Sequence, residues 1–270
     1  MGFMSRKLVL ALGFIFLSLF CLMSCGLEEY AYIDYIPDAN VTMTDVTRAT
    51  IRLPSSGADG YGNYFDNFII FYRIYISGDN PTGTILTADQ RSAINPTLNF
   101  DYNNILSTTD KNSTTVNTSN LESFFYTRNY YQLTLEGPNI STVLNSGSLG
   151  KTLEIDFPYS RGVEPTLNLG TTVDHILLRA DTGPGMSFSP LPDNYYFLNH
   201  PDLYSNANAS DKMKNADVAG RTITSPPNRY TYVSMYIAAA GKSFDSPPRN
   251  LYSQPTFIGI FMLAESSDSP

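Results

Sequence analysis

An apolar run without a charge, Leu8 to Met23, follows directly on Arg6 and Lys7. It is shorter than the ~20 residues a helix needs to cross a bilayer core. It has the length of the apolar region of a secretory signal peptide. Beyond it the pattern changes to a period of two. Val46 to Leu53 sets Ala49, Ile51 and Leu53 against Thr50 and Arg52, a half-buried strand, which Pro54 and the Gly57 turn end. Asn67 to Ser77 is apolar or aromatic on both faces from Phe68 to Ile76, apart from Arg73, as in a central strand. Tyr130 to Glu136, Lys151 to Phe157 and Val173 to Ala180 read as three more strands. Arg229 to Ala240 places Tyr230, Tyr232 and Tyr236 on one face and Val233, Met235 and Ile237 on the other. Gly241-Lys242-Ser243 reads as a turn, and Pro255 to Leu263 as the last strand.

Helical signals are few. Thr87 with Gln90 three residues on is a capping box for a short helix over Ala88 to Ile94, and Pro96 ends it. Asp211 to Val218, closed by Gly220, is a second short candidate. Asp110 to Asn120 is almost wholly polar and reads as exposed loop. No repeat or heptad is present. The expected organisation is a signal peptide over 1–24, a tether over 25–40 and one domain over 41–265. That domain carries long insertions at 82–122 and 182–229, and residues 266–270 form a polar tail. One domain is favoured over two because neither half holds a full set of strands.

Composition narrows the class. Tyr (19) and Phe (16) are abundant, Trp is absent, and charged residues make up only 16%. With the polar, Gly- and Pro-rich connections this predicts an all-β extracytoplasmic fold. Losing Arg6 and Lys7 with the leader takes the net charge from −8 to −10. Such an acidic chain gains nothing from releasing counterions on nucleic acid, so no nucleic-acid partner is expected. Without Cys21 the mature chain keeps a single cysteine, Cys25, so neither a disulfide nor a cysteine metal site is available.

The tetrapeptide Leu22-Met23-Ser24-Cys25, followed by Gly26, resembles the bacterial lipobox, in the relaxed form with Met23 in place of a small residue. The resemblance implies cleavage before Cys25 and lipid on its thiol and new amine. Several acyl chains hold a protein stably where one does not. The start Cys25-Gly26-Leu27-Glu28-Glu29-Tyr30 resembles uncharacterised lipoproteins of treponeme-type spirochaetes. Phe71-Tyr72-Arg73-Ile74-Tyr75-Ile76-Ser77 resembles the C strand of immunoglobulin-like or fibronectin type III-like sandwiches. Tyr236-Ile237-Ala238 resembles their F strand, and Tyr252-Ser253-Gln254-Pro255 leads into a G-like strand. Together these imply an immunoglobulin-like sandwich with long loops, anchored in the cell envelope, with the outer membrane favoured.

Candidate chemistry is sparse. His175 falls in a strand and His200 in a loop before Pro201, and no nucleophile elbow, metal-binding helix or phosphate loop accompanies them. No catalytic, cofactor or metal site is expected. Glu154 and Asp156 share the outer face of one strand, where a solvated face is the plain reading and a glycosidase pair the sharp one. Asp79-Asn80 and Asp193-Asn194 are oxygen-rich turns. Tyr61, Tyr64, Tyr195, Tyr196 and Phe197, with Tyr30, Tyr32 and Tyr35, lie in or near loops. They either form a contact surface for a protein or glycan or pack the loops back on the sheets. The leading expectation is a non-enzymatic, lipid-anchored binding or structural module that reaches the membrane through Cys25. A carbohydrate-active or other hydrolase is the alternative.

Overall fold

A computed structural model describes residues 31–77, 87–108, 121–158, 163–179, 196–197, 218–219 and 230–263. The expected signal peptide, Cys25, the expected loop at Asp110 to Asn120 and the expected tail lie outside the described residues. In chain order the first strands are β1 (Val41–Met43), β2 (Arg48–Arg52) and β3 (Phe65–Ser77). Helices α1 (Ala88–Ile94), α2 (Pro96–Thr108) and α3 (Leu121–Tyr126) follow. Then come β4 (Tyr131–Gln132), β5 (Thr134–Leu135), α4 (Ile140–Val143), β6 (Thr152–Asp156), β7 (Thr166–Asn168) and β8 (His175–Leu178). The rest is β9 (Val218–Ala219), β10 (Tyr230–Lys242), β11 (Asn250–Tyr252) and β12 (Thr256–Leu263).

Two mainly antiparallel sheets make a sandwich-like pair. One runs β1-β2-β6-β7-β8-β5 and the other β11-β10-β3-β4, with β12 beside β10 and β9 parallel to β3. Period-two burial explains the first: Ala49, Ile51, Leu53, Leu153, Ile155 and Phe157 point inward, while Arg48, Arg52, Thr152 and Glu154 face water. Rings mark the seam between the sheets. Phe157 stacks on Phe261 of β12 at 4.6 Å between centroids, and Phe197 meets both Tyr72 (5.4 Å) and Phe157 (5.8 Å).

The second sheet is buried on both faces, as the two-sided apolar pattern of β3 and β10 requires. Its far face is covered by helices. Ile94, Leu98, Ile105, Leu121 and Phe125 pack there against Phe71, Tyr75, Tyr232 and Tyr236. The expected capping box of α1 forms in full, with Thr87 Oγ1 accepting from Gln90 N and Gln90 Oε1 accepting from Thr87 N. The sequence reading missed α2. Pro96 stops α1 but also starts α2, because a first helical residue needs no N–H partner. Buried Asn95 makes the junction. Its Oδ1 accepts from Thr97 N, while its Nδ2 donates to the carbonyls of Ile76 and Ala219.

Three further expectations change. Tyr130 to Glu136 is not one strand: β4 pairs with β3 and β5 with β8, so the chain crosses between sheets at Leu133, whose N–H donates to Ile70 O. Gly241 is not a turn residue but the continuation of β10, paired with Phe65. A Cβ there would stand 1.8 Å from the Tyr64 carbonyl, so glycine is needed for close backbone approach. Part of the segment expected as a tether, 25–40, packs on the domain. Ile33 and Ile36 are buried, Asp34 N donates to Asp59 O, and Thr256 Oγ1 donates to Ile36 O at 2.5 Å. Apolar residues at 33 and 36 outweigh the acidic residues around them and draw this segment onto the domain. Of the helix expected at Asp211 to Val218, only Val218 is described, and it is strand.

Candidate functional site

The densest polar cluster lies between the second sheet and α2. Alternation along β3 turns Phe71, Arg73 and Tyr75 toward the helices, and β10 presents Tyr232, Ser234 and Tyr236 beside them, with Arg73 opposite Ser234. A guanidinium in that layer needs a counter-charge, since a lone buried ion is very costly. Asp101 on α2 supplies it. Arg73 Nη1 donates to Asp101 Oδ2 at 2.6 Å, and the Tyr75 hydroxyl donates to the same oxygen at 2.6 Å. The Tyr75 and Tyr130 hydroxyls lie 2.9 Å apart, and Tyr130 donates on to Ser234 Oγ at 3.3 Å. The Arg73 guanidinium also stands 5.4 Å from the Tyr75 ring centroid, within cation–π range. Arg73 Nε and the Tyr236 hydroxyl complete no hydrogen bond of normal geometry.

Burial dominates the electrostatics. Arg73 is 8% and Asp101 4% exposed. Desolvation raises the Asp101 carboxyl above its ordinary range, against the Tyr75 hydrogen bond and the Arg73 charge, which pull it down. Burial also raises the Tyr75, Tyr130 and Tyr236 phenols, helped at Tyr75 by Tyr130 and Asp101. A raised phenol favours the neutral form in the folded protein. Its contribution is present below the unfolded value of 10.0 and is lost as pH rises through the folded value. An alkaline titration followed by tyrosinate absorbance should therefore show two phases. Exposed tyrosines ionise first, and the buried set ionises only with cooperative unfolding. A single smooth titration of all tyrosines near the ordinary value would contradict the sealed cluster.

No protein family, curated protein or solved structure matches the chain. Every member of the cluster is buried, and its hydrogen bonds hold α2 on the sheet.

The residues read from sequence as a contact surface fall apart into different roles. Tyr61 is buried, with its hydroxyl on Asp34 O at 2.9 Å and its ring against Phe65 and Phe68. Phe197 is fully buried in the seam between sheets. These two are core residues and offer no surface. Tyr196 is half-buried and donates to Glu136 Oε1 at 2.7 Å. Tyr64 is half-buried under Phe244, with centroids 5.4 Å apart. Tyr195 and His200 lie outside the described residues, as do Asp79-Asn80 and Asp193-Asn194.

His175 begins β8, half-buried. Glu154 and Asp156 do share the outer face of β6, and Asp156 is ion-paired with Arg48 of the neighbouring strand. Among the described residues no group of three His, Cys, Asp or Glu is placed to hold a metal ion. None of their helices is long and apolar enough to cross a membrane.

Sequence reading missed the Arg73 cluster, although one signal was present. Arg73 is the only charge within an otherwise apolar stretch from Phe68 to Ile76. A strand buried on both faces cannot leave that charge in water, so a carboxylate partner from elsewhere in the chain was required.

Proposed function

We propose that this protein is a lipid-anchored component of a bacterial cell envelope whose sandwich-like domain serves as a binding or structural module. The observation that carries the proposal is Leu22-Met23-Ser24-Cys25 at the end of an apolar run behind two basic residues. The internal use of the polar groups supports the non-enzymatic half. Asp101 is committed to Arg73 and Tyr75, Asp156 to Arg48, Glu136 to Tyr196 and Glu122 to Tyr252.

An immunoglobulin-like relationship is part of the same reading and rests on one sheet. The strands that resemble C, F and G are β3, β10 and β12, and they lie in that order, as C, F and G do in such sandwiches. The other sheet departs from that plan. There the strand beside β2 is β6, which comes before its outer neighbour β7. In the immunoglobulin order A-B-E-D, the inner strand E follows the outer strand D.

Metabolic labelling with palmitate tests the anchor. Wild-type protein should take up label and partition into the membrane fraction, and Cys25→Ala should lose both. A Cys25→Ala protein labelled as strongly as wild type would remove the basis of the reading.

A further inference from the structure

Two exposed aromatic rings, Tyr32 and Phe244, lie on segments whose backbones run side by side near Gly60 and Gly241. The backbones there are in close contact. A Cβ on Gly60 would stand 2.1 Å from the Tyr32 carbonyl, and one on Gly241 would meet Tyr64 O at 1.8 Å and Ile33 Cδ1 at 2.9 Å. Just beyond β10, Phe244 is 81% exposed and rests its ring on Tyr64. Tyr32 is 54% exposed, with its hydroxyl donating to Asp59 Oδ2 at 3.3 Å. The loop that carries Phe244 is braced. Arg249 N donates to Ser243 Oγ at 2.9 Å, and Arg249 Nε donates to Asp245 Oδ2 at 2.9 Å. A braced, water-facing phenylalanine on a half-buried tyrosine, with a second exposed tyrosine on the adjoining segment, has the composition of a membrane-interface belt, in which tyrosines bury an apolar body and keep a polar tip wet.

The chain itself names the bilayer. Tyr32 lies seven residues beyond Cys25, a span of no more than about 25 Å even when fully extended. We infer that Tyr32, Tyr64 and Phe244 form a docking face that seats in the headgroup layer of the membrane holding the Cys25 lipid. The inference rests on the lipid-anchor reading and adds an orientation to it. Tethering turns the contact into an intramolecular one, so a shallow, weak insertion is enough to hold the domain one way round. The flanking charges, Asp34, Asp59 and Asp245 against Lys242 and Arg249, are nearly balanced and slightly acidic. That matches zwitterionic headgroups and not the polybasic recognition of anionic lipid.

The chain has no tryptophan, so Phe244→Trp introduces a single fluorescent reporter. Lipidated full-length protein carrying Phe244→Trp would be placed in phosphatidylcholine vesicles whose acyl chains are brominated near the headgroups. The comparison is Phe100→Trp, at a position on α2 that is 67% exposed. Asp101 beside it pairs with Arg73, which sits eight residues along β3 from Phe65, the partner of Gly241, about 26 Å away at the rise of a strand. The reporter at 244 should emit further to the blue and be quenched several-fold more than the one at 100. Equal quenching at the two positions, or none at 244, while both variants still float with the vesicles, overturns the docking face and leaves the anchor standing. Flotation of Cys25→Ala as complete as that of wild type overturns the anchor, and the docking face with it.

Discussion

Asp101→Ala should destabilise the protein by about 3–5 kcal/mol, the usual cost of removing one partner from a buried ion pair. The loss falls on Arg73, which would keep a charge in a site that is 8% exposed. It also falls on the Tyr75 hydroxyl, which would lose its acceptor. Denaturant unfolding followed by circular dichroism measures it. The informative partner is the double variant Arg73→Met with Asp101→Leu. Well-packed apolar replacements of buried ion pairs are often neutral or stabilising, so the double variant should recover most of the loss. A single variant within about 1 kcal/mol of wild type would mean that water reaches the pair, since exposed pairs have only that value.

Phe125→Ala should cost about 3–5 kcal/mol, as large-to-small changes at buried aromatic sites do. Phe125 is fully buried, stacks on Phe71 at 4.1 Å and meets Tyr130 and Tyr236, each at 5.6 Å. It and Leu121 are the buried residues of six-residue α3, so the helix has little else to hold it on the sheet. A helix this short is not stable by itself in water. Limited proteolysis should accordingly cut the variant near residues 121–126 faster than wild type. Phe100→Ser, at an exposed position on α2, should stay within about 0.5 kcal/mol of wild type. An equal effect of the two substitutions would contradict the burial that sets them apart.

What could be read from the sequence follows from where each pattern comes from. Strands β2 and β6 were legible because burial of one face writes a period of two, and β3, β10 and β12 because burial of both faces writes a continuous apolar run. Strands β7, β9 and β11 are two or three residues long and carry too few positions to show any period. Helix α2 was hidden because Pro96 reads as a stop unless the chain is known to fold back at Asn95. The split between β4 and β5 was hidden for another reason. Alternation tells which side of a strand is apolar, but not which neighbour supplies the ladder. The sequence left two roles open for Tyr61 and Phe197, contact surface or loop packing, because an aromatic in a polar stretch looks the same whether it turns outward or plugs a gap, and both are buried. Phe244, in the Pro- and Ser-rich link after β10, attracted no notice, since exposure depends on what the rest of the fold leaves uncovered.

The long β3–β10 ladder imposes an order on how the protein reaches its native state. Tyr230 pairs with Ser77, and Gly241 pairs with Phe65, so the partners lie about 150 residues or more apart. A chain made from its N-terminus delivers β3, apolar on both faces, long before the segment that completes its sheet. Until Tyr230 to Lys242 has been made, β3 remains an open edge of the kind that pairs with other chains. Non-local pairing of this sort is slow. Early cover from α1 and α2, which follow β3 directly in the chain, therefore has its greatest effect before the second half of the protein exists.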